Sequence, residues 1–530
     1  MWDKIIQVIT DVNSFINNLV WGWPMIILIL GTGILITVRT RIMQVRKFND
    51  SLNETIKPTL KSIGRKKANL SKKENSISQF EAFATAISGT VGTGNIIGVS
   101  SAIMTGGPGA VFWMWVSAFF GMITNYAENV LGLYFRKKEK NGDFSGGPAY
   151  YLSEGLANKK GKAGAALKTI GKILGVMAAV FCTFAAIGMS GTQTNKMSGT
   201  FQSVFTSADK TTVALIVGII VAIVLALVIL GGIKAIGKVT SILIPFMSLI
   251  FMFMAIIIVM ANFSSVTWVF EMIFKNAFSF KPVLGGLTGY TFSKIIQKGL
   301  ARGVFSNEAG LGSSVIAHSA SEAREPVKQG LWGIFEVFFD TFIICTLTAI
   351  VVLISYGKDE TVLYGGAYID TQVSMMAFSK TFGTFGKAAY SIIIPLFAFT
   401  TILAWAYYGE KSVDFLFRKT GDKGRKIATT VFKVLYVLLV IASAVIDGEL
   451  AWAISDTFNG LMALPNLIGL VLLSGLVVEI SKNYYLRKKG VDVEPMLSAY
   501  PEQNARFIED LKEEAAVAAA TDEAEEKINW

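Results

Sequence analysis

Long apolar runs, interrupted by short polar and basic stretches, organise the chain. Val213–Leu230 continues for 18 residues without one charged side chain. At ~1.5 Å per residue, such a helix covers most of a ~30 Å hydrocarbon layer. A single run of this kind would suit the buried core of a soluble protein, but the pattern recurs about eleven times. The predicted spans are 20–38, 84–104, 109–135, 172–196, 212–231, 238–261, 294–318, 330–355, 385–408, 426–446 and 458–480. The fold class that follows is an all-α polytopic membrane protein with about eleven transmembrane helices.

Composition agrees: 52% of residues are hydrophobic and 16% charged, against about 25% charged in soluble domains. The mean hydropathy is +0.52. Cys182 and Cys345, the two cysteines, each lie in an apolar stretch, which leaves neither a disulfide framework nor a thiolate metal cluster. The net charge of +11 would suit a nucleic-acid partner if it were spread over one surface, but it sits in alternate loops. Residues 39–79 hold eleven Lys or Arg, Arg65, Lys66 and Lys67 among them, and 136–172 hold nine. Later basic connections carry Lys234 and Lys238, Arg324 and Lys328, Lys411 to Lys426, and Lys482 to Lys489, while the loop around Asp447, Glu449 and Asp456 has no positive charge. That alternation is a topology signal, so the basic loops are cytoplasmic and membrane lipid is the partner in place of nucleic acid. An odd number of spans puts the N-terminus outside and the C-terminus inside. Met1–Asn18 mixes Asp3, Lys4 and Asp11 among apolar residues, unlike a cleavable signal peptide, so the first span is retained. The end of the chain turns Ala-rich and acidic near 509–527, as a cytoplasmic tail, and no obligate protein partner is evident.

Two spans are poor ordinary helices. The second contains Ser-Gly-Thr-Val-Gly-Thr-Gly-Asn at 88–95, and the seventh contains Arg-Gly-Val-Phe-Ser-Asn-Glu-Ala-Gly-Leu-Gly at 302–312. Each Gly costs ~1 kcal/mol of helix propensity relative to Ala. Glycines alone would suit close helix packing. Asn95, Asn307 and Glu308 beside them are costly in hydrocarbon, and non-helical backbone at that depth is tolerated only where it lines a protein cavity. A nucleotide cradle is excluded, since Gly92, Gly94 and Gly98 follow no strand and precede no Lys-Ser/Thr. The divisions are an N-terminal helix and basic loop at 1–83, five spans at 84–261, five more at 294–480 and the tail at 481–530. Each five-span block opens on an interrupted helix. Because the second and seventh spans cross in opposite senses, the blocks form an inverted 5+5 repeat, as in secondary transporters with a midplane site between discontinuous helices.

The stretches Ser88–Gly98 (SGTVGTGNIIG), Gly146–Leu156 (GGPAYYLSEGL), Arg302–His318 (RGVFSNEAGLGSSVIAH), Gln329–Ala349 (QGLWGIFEVFFDTFIICTLTA) and Phe397–Glu410 (FAFTTILAWAYYGE) together resemble the alanine or glycine:cation symporter family. The resemblance runs from Gln79 to about Val478. It implies the ten-helix inverted repeat of the neurotransmitter:sodium symporters plus one N-terminal helix, in a bacterial or archaeal cell membrane. The implied activity is sodium-coupled symport of a small neutral amino acid.

An amino-acid zwitterion needs an anion site and a cation site a few ångströms apart. Broken helices supply both, through exposed N–H groups at one half-helix end and freed C=O groups at the other. Thr93, Gly94 and Asn95 on the second span and Phe305, Asn307 and Gly310 on the seventh are the candidate surfaces. The resemblance places Gln193 toward the pocket; as a residue near a helix end it also suits solvent. It further implies a sodium ion held by backbone oxygens at Ser88 and Val91 and by the hydroxyls of Thr400 and Thr401. Oxygen ligands suit a hard cation, although adjacent Thr residues in a membrane helix also bond back to the preceding turn. Trp405 either closes one side of the pocket or anchors at the interface.

Glu128, Glu336 and Asp340 are acidic within spans, and Asp340 lies ~15 Å into its helix. Such carboxylates are functional candidates by default; pairing with Arg302 or Lys298 is the structural alternative, and proton coupling in the same fold is the alternative function. His318, the single histidine, falls at a helix end and reads as structural. With one histidine there is no H-E-x-x-H zinc site, so the chain is not read as an enzyme.

Overall fold

Hydrocarbon offers backbone groups no partners, so each apolar run must close its own N–H···O=C ladder, and the predicted spans become helices. The computed structural model describes residues 2–62, 76–140, 142–157, 164–278, 292–364, 366, 368–446 and 448–513. Arg65, Lys66, Lys67, Asp447 and the acidic tail from 514 lie outside the described residues.

The principal helices are α1 (Trp2–Val20), α2 (Trp23–Arg39), α3 (Gln79–Thr90), α4 (Val99–Gly106), α5 (Gly109–Tyr134) and α6 (Gly164–Val204). They continue as α7 (Lys210–Leu230), α8 (Gly232–Ala261), α9 (Phe263–Ala277), α10 (Phe292–Asn307) and α11 (Ser314–His318). The last four are α12 (Pro326–Val337), α13 (Asp370–Leu416), α14 (Gly421–Val445) and α15 (Gly448–Lys488). A five-residue π-helix, Gly94–Gly98, joins the break after α3 to α4, and another, Phe338–Cys345, carries α12 into a helix over Thr346–Tyr356. A two-residue ribbon, β1 (Lys137–Lys138) with β2 (Phe144–Ser145), follows α5.

Among the described residues nine helical stretches are long and apolar enough to cross a membrane, or ten when α3 and α4 count as one span bent by 46°. The remaining expected span, 294–318, is divided: α10 ends at Asn307 and α11 begins at Ser314, and neither piece crosses alone. Several helices outrun their expected spans, because polar residues prolong a helix beyond the hydrocarbon without leaving a trace in hydropathy. The span expected at 385–408 is the distal part of α13, a 47-residue helix bent at Gly383 (φ 56°, ψ −135°). The amphipathic helices α1 and α9 were not expected at all, since alternating polar residues hide them from an apolar-run search.

α6 stands at the centre, packed most extensively on α13 and α15, while α5 packs on α10 and α12. The N-terminal helices dock on the far end of the chain: Asn17 Nδ2 donates to Asp456 Oδ2 (3.1 Å) and the Trp21 indole to the Asp456 carbonyl (2.9 Å). At the opposite end Arg136, fully buried, donates to the carbonyls of Ser319, Ser321 and Ala323 and stacks on Phe144. Residues 501–513 are helical; Phe507 covers Arg136, and Asp510 accepts from Arg324 at 2.8 Å.

Candidate functional site

The first break begins where Val91 leaves helical geometry (φ −80°, ψ 89°). In an unbroken helix the Gly92 N–H would donate to Ser88; here it donates to Asn95 Oδ1 at 2.9 Å. The Ser88 carbonyl is thereby released, and Thr401 Oγ1 on α13 lies 2.9 Å from it. Thr93 is held by α6: its hydroxyl and its N–H both point to Gln193 Oε1, at 2.9 and 3.4 Å. A Cβ at Gly92 would collide with Thr401 Oγ1, so only glycine lets α13 come this close.

The second break is built on three left-handed residues, Glu308 (φ 56°), Gly310 (φ 93°) and Gly312 (φ 75°). Glycine adopts that geometry freely, whereas Glu308 is held in it by its side chain: Trp405 Nε1 donates to Oε1 (3.1 Å) and Ser313 Oγ to Oε2 (2.5 Å). The Gly310 N–H donates to Glu128 Oε1 (3.0 Å), and Asn466 Nδ2 bridges that same oxygen and the Gly310 carbonyl. Tyr151 closes the set by donating to Asn466 Oδ1.

The two breaks meet. A Cβ on Gly94 would touch the Phe305 ring at 3.8 Å. Asn95 Nδ2 donates to Asp340 Oδ1 (2.5 Å), while Ser306 Oγ and Thr341 Oγ1 donate to Asp340 Oδ2 (2.9 and 2.8 Å). Asp340 thus ties both broken helices to the π-helical segment that follows α12, and among the described residues the hydrogen-bond partners of its carboxylate are these polar groups, not Arg302 or Lys298. Glu336, one turn earlier, lies 2.8 Å from His318 Nε2. The Gln329 amide lies 2.6 Å from His318 Nδ1, so both ring nitrogens of His318 are engaged by buried polar side chains.

Thr93, Gly94 and Gln193 therefore converge with Phe305. Asn95 spends its side chain between the break and Asp340; Asn307 folds back, donating to Thr341 Oγ1 (3.1 Å) and accepting from the Ala309 N–H (3.1 Å). Gly310 belongs to the Glu128 cluster, and Trp405 to Glu308. Ser88 and Thr401 are in contact, Thr400 Oγ1 bonds to the Phe397 carbonyl (3.1 Å), and Thr401 is also 2.9 Å from that carbonyl, so the back-bonding alternative is present alongside the cross-helix contact. Ser88 and Thr401 bring together, fully buried, a carbonyl released by the break and a hydroxyl from α13, the kind of oxygens a hard cation takes, while the Thr400 hydroxyl bonds within its own helix. Gln193 is 1% exposed and Trp405 0%, so both are interior residues, not helix-end or interfacial ones. Sequence reasoning missed Tyr151 and Asn466. Their signal was present, since an Asn after Pro465 inside an apolar span is as anomalous as Asn95.

This arrangement joins broken helices, a buried polar centre and buried carboxylates supplied with neutral donors. The sequence matches the sodium:alanine symporter family over residues 6–497. It is 40% identical over 481 residues to the sodium/alanine symporter AgcS of Methanococcus maripaludis, covering 90% of this chain and 97% of that one. The probable sodium/glutamine symporter GlnT of Bacillus subtilis is 34% identical, with 91% and 92% covered. The crystal structure of MhsT in complex with L-phenylalanine aligns at a TM-score of 0.53 and 14% identity, over 77% of this chain and 98% of that one, which shows a shared fold. Ten of the helices accordingly follow the 5+5 inverted repeat of the neurotransmitter:sodium symporters, with an N-terminal helix added. A multi-pass membrane symporter and not an enzyme, the chain belongs to the sodium:alanine symporter family.

Proposed function

We propose that the protein couples inward movement of sodium to uptake of a small neutral amino acid, alanine or glycine, by alternating access. The observation that carries this reading is the meeting of the two helix breaks around Thr93, Gly94, Gln193 and Phe305, all four buried. Backbone dipoles at the breaks suit a carboxylate and an ammonium group without a charged side chain. The family and the named relatives support amino-acid and sodium specificity in the same direction.

Sodium would be held by the Ser88 and Val91 carbonyls and the Thr400 and Thr401 hydroxyls, where it would supply positive charge that binds α3 to α13. Residues 84–261 and 294–480 act as the two repeats. Residues 1–83 and 481–530 flank them, with the N-terminus outside and the C-terminus in the cytoplasm of a bacterial or archaeal cell. A second reading, proton coupling, draws on the buried Asp340 network and the Glu336–His318 pair. Uptake of labelled alanine and glycine into proteoliposomes tests both: an imposed sodium gradient at fixed pH should drive accumulation. Accumulation driven by a proton gradient without sodium would replace the first reading with the second.

A further inference from the structure

A cavity of about 560 Å³ opens between the end of α2 and the end of α15, away from the substrate site. Its wall carries Arg39, Arg41, Arg46, Lys47, Lys482 and Lys489. Among the described residues, only Lys47 of these six is paired with a carboxylate, Asp50 at 3.0 Å. Glu479, exposed on α15, is not part of the wall. The floor is Met43, Ser481 and the Tyr485 ring, over which the Lys47 ammonium sits at 4.2 Å. The positive-inside rule accounts for basic loops on this side; it does not account for their gathering around one concavity.

Two further features are specific to the place. Arg41 and Ile42 both adopt left-handed backbone (φ 58° and 56°), a conformation that a β-branched residue such as Ile rarely takes. The turn is pinned by the Ile42 N–H to the Thr37 carbonyl (2.8 Å) and by Arg46 Nη1 to the Arg41 carbonyl (3.2 Å). Strain of this kind persists where the surroundings fix it, commonly at ligand clamps. The second feature is exposed apolar surface beside the cavity: Ile34 and Val38, one turn apart on α2, and Ile42 in the turn that follows are 45%, 68% and 48% exposed.

We propose that this cavity binds the phosphate headgroup of an anionic glycerophospholipid, whose acyl chains lie along the apolar surface of Ile34, Val38 and Ile42. Cations gathered at the membrane surface suit the phosphate, and the apolar surface suits hydrocarbon, a combination that a soluble phosphate does not need.

Native mass spectrometry of the purified full chain tests this with three probes: phosphatidylglycerol, phosphatidylcholine of the same acyl chains, and glycerol phosphate. Phosphatidylglycerol should be retained one to one, and the other two should not bind at the same concentration. In Arg41→Gln/Arg46→Gln/Lys482→Gln its affinity should fall by about a hundredfold, at roughly fivefold per charge. Equal retention of phosphatidylcholine, or unchanged affinity in the triple variant, overturns the proposal. Equally tight glycerol phosphate would make this a phosphate site and remove the lipid. Should the variant not fold, photoactivatable phosphatidylglycerol on the unaltered chain decides. Labels within residues 34–46 and 478–489 support the site, and labels confined elsewhere refute it.

Discussion

Thr401→Val removes one hydroxyl and keeps the β-branched shape. In the structure that hydroxyl lies 2.9 Å from the Ser88 carbonyl, the oxygen freed when the Gly92 N–H turns to Asn95. Valine takes one oxygen from the proposed ion site, and the lost contact to a charged group costs ~1–3 kcal/mol in the ion-bound state. Substrate and ion favour the same closed state, so the loss is shared between them by linkage. Half-maximal alanine binding should then need about five- to a hundredfold more sodium, and alanine affinity at fixed low sodium should fall by the same factor. Calorimetric titration of alanine across a sodium series reads both quantities. Thr401→Ser, which keeps Oγ and drops only the methyl, should stay near the parent, while Thr400→Val should also raise the sodium requirement. Packing alone predicts the opposite order, because serine leaves a cavity and valine does not. An unchanged sodium dependence in both Val variants, or a larger effect for serine than for valine at 401, would refute the placement of the ion between α3 and α13.

Gln193→Ala deprives Thr93 of the acceptor for its hydroxyl and N–H, and alanine affinity should drop by roughly five- to a hundredfold with expression intact; unchanged affinity in a binding assay moves the pocket elsewhere. Gly92→Ala forces a Cβ against Thr401, and overpacking of ~1–3 kcal/mol should reduce uptake about tenfold or more, whereas parental uptake would mean the approach of α13 is not tight. Asp340→Asn halves the acceptor capacity at a residue serving Asn95, Ser306 and Thr341, and proteoliposome uptake should fall at least tenfold, or ~1.4 kcal/mol; full uptake rejects a role for that junction. For topology, a cysteine at Lys140 should resist impermeant thiol reagents added to intact cells and one at Ser207 should react, with little background because Cys182 and Cys345 are buried; the reverse pattern inverts the orientation.

Spans and breaks were legible because hydropathy and glycine content are local properties. The interruptions at 88–95 and 302–312 appear where the sequence put them. What was not legible depended on which distant side chains meet. Asp340 was weighed against Arg302 and Lys298 on the neighbouring span, yet its partners include Asn95, 245 positions away. Asn95 reads from the sequence as a substrate ligand, and its bonds to the break and to Asp340 are legible only in the fold. His318 read as a structural residue at a helix end, and its pairing with Glu336 and Gln329 needs the fold of 318–336 to be seen.

The first broken helix has a consequence for how the protein is made. Although Asn95 answers the Gly92 N–H locally, two other loose backbone groups are answered by later parts of the chain: the Thr93 N–H by Gln193, 100 residues on, and the Ser88 carbonyl by Thr401, 313 residues on. Until those helices have been synthesised and inserted, residues 88–95 have no protein cavity in which to stay unwound, and lipid does not tolerate open backbone. The nascent segment must therefore wait as a continuous helix or beside the insertion machinery. It unwinds only when α6 and α13 arrive, so the binding site is among the last features to form during biogenesis, although its first residues are among the earliest translated.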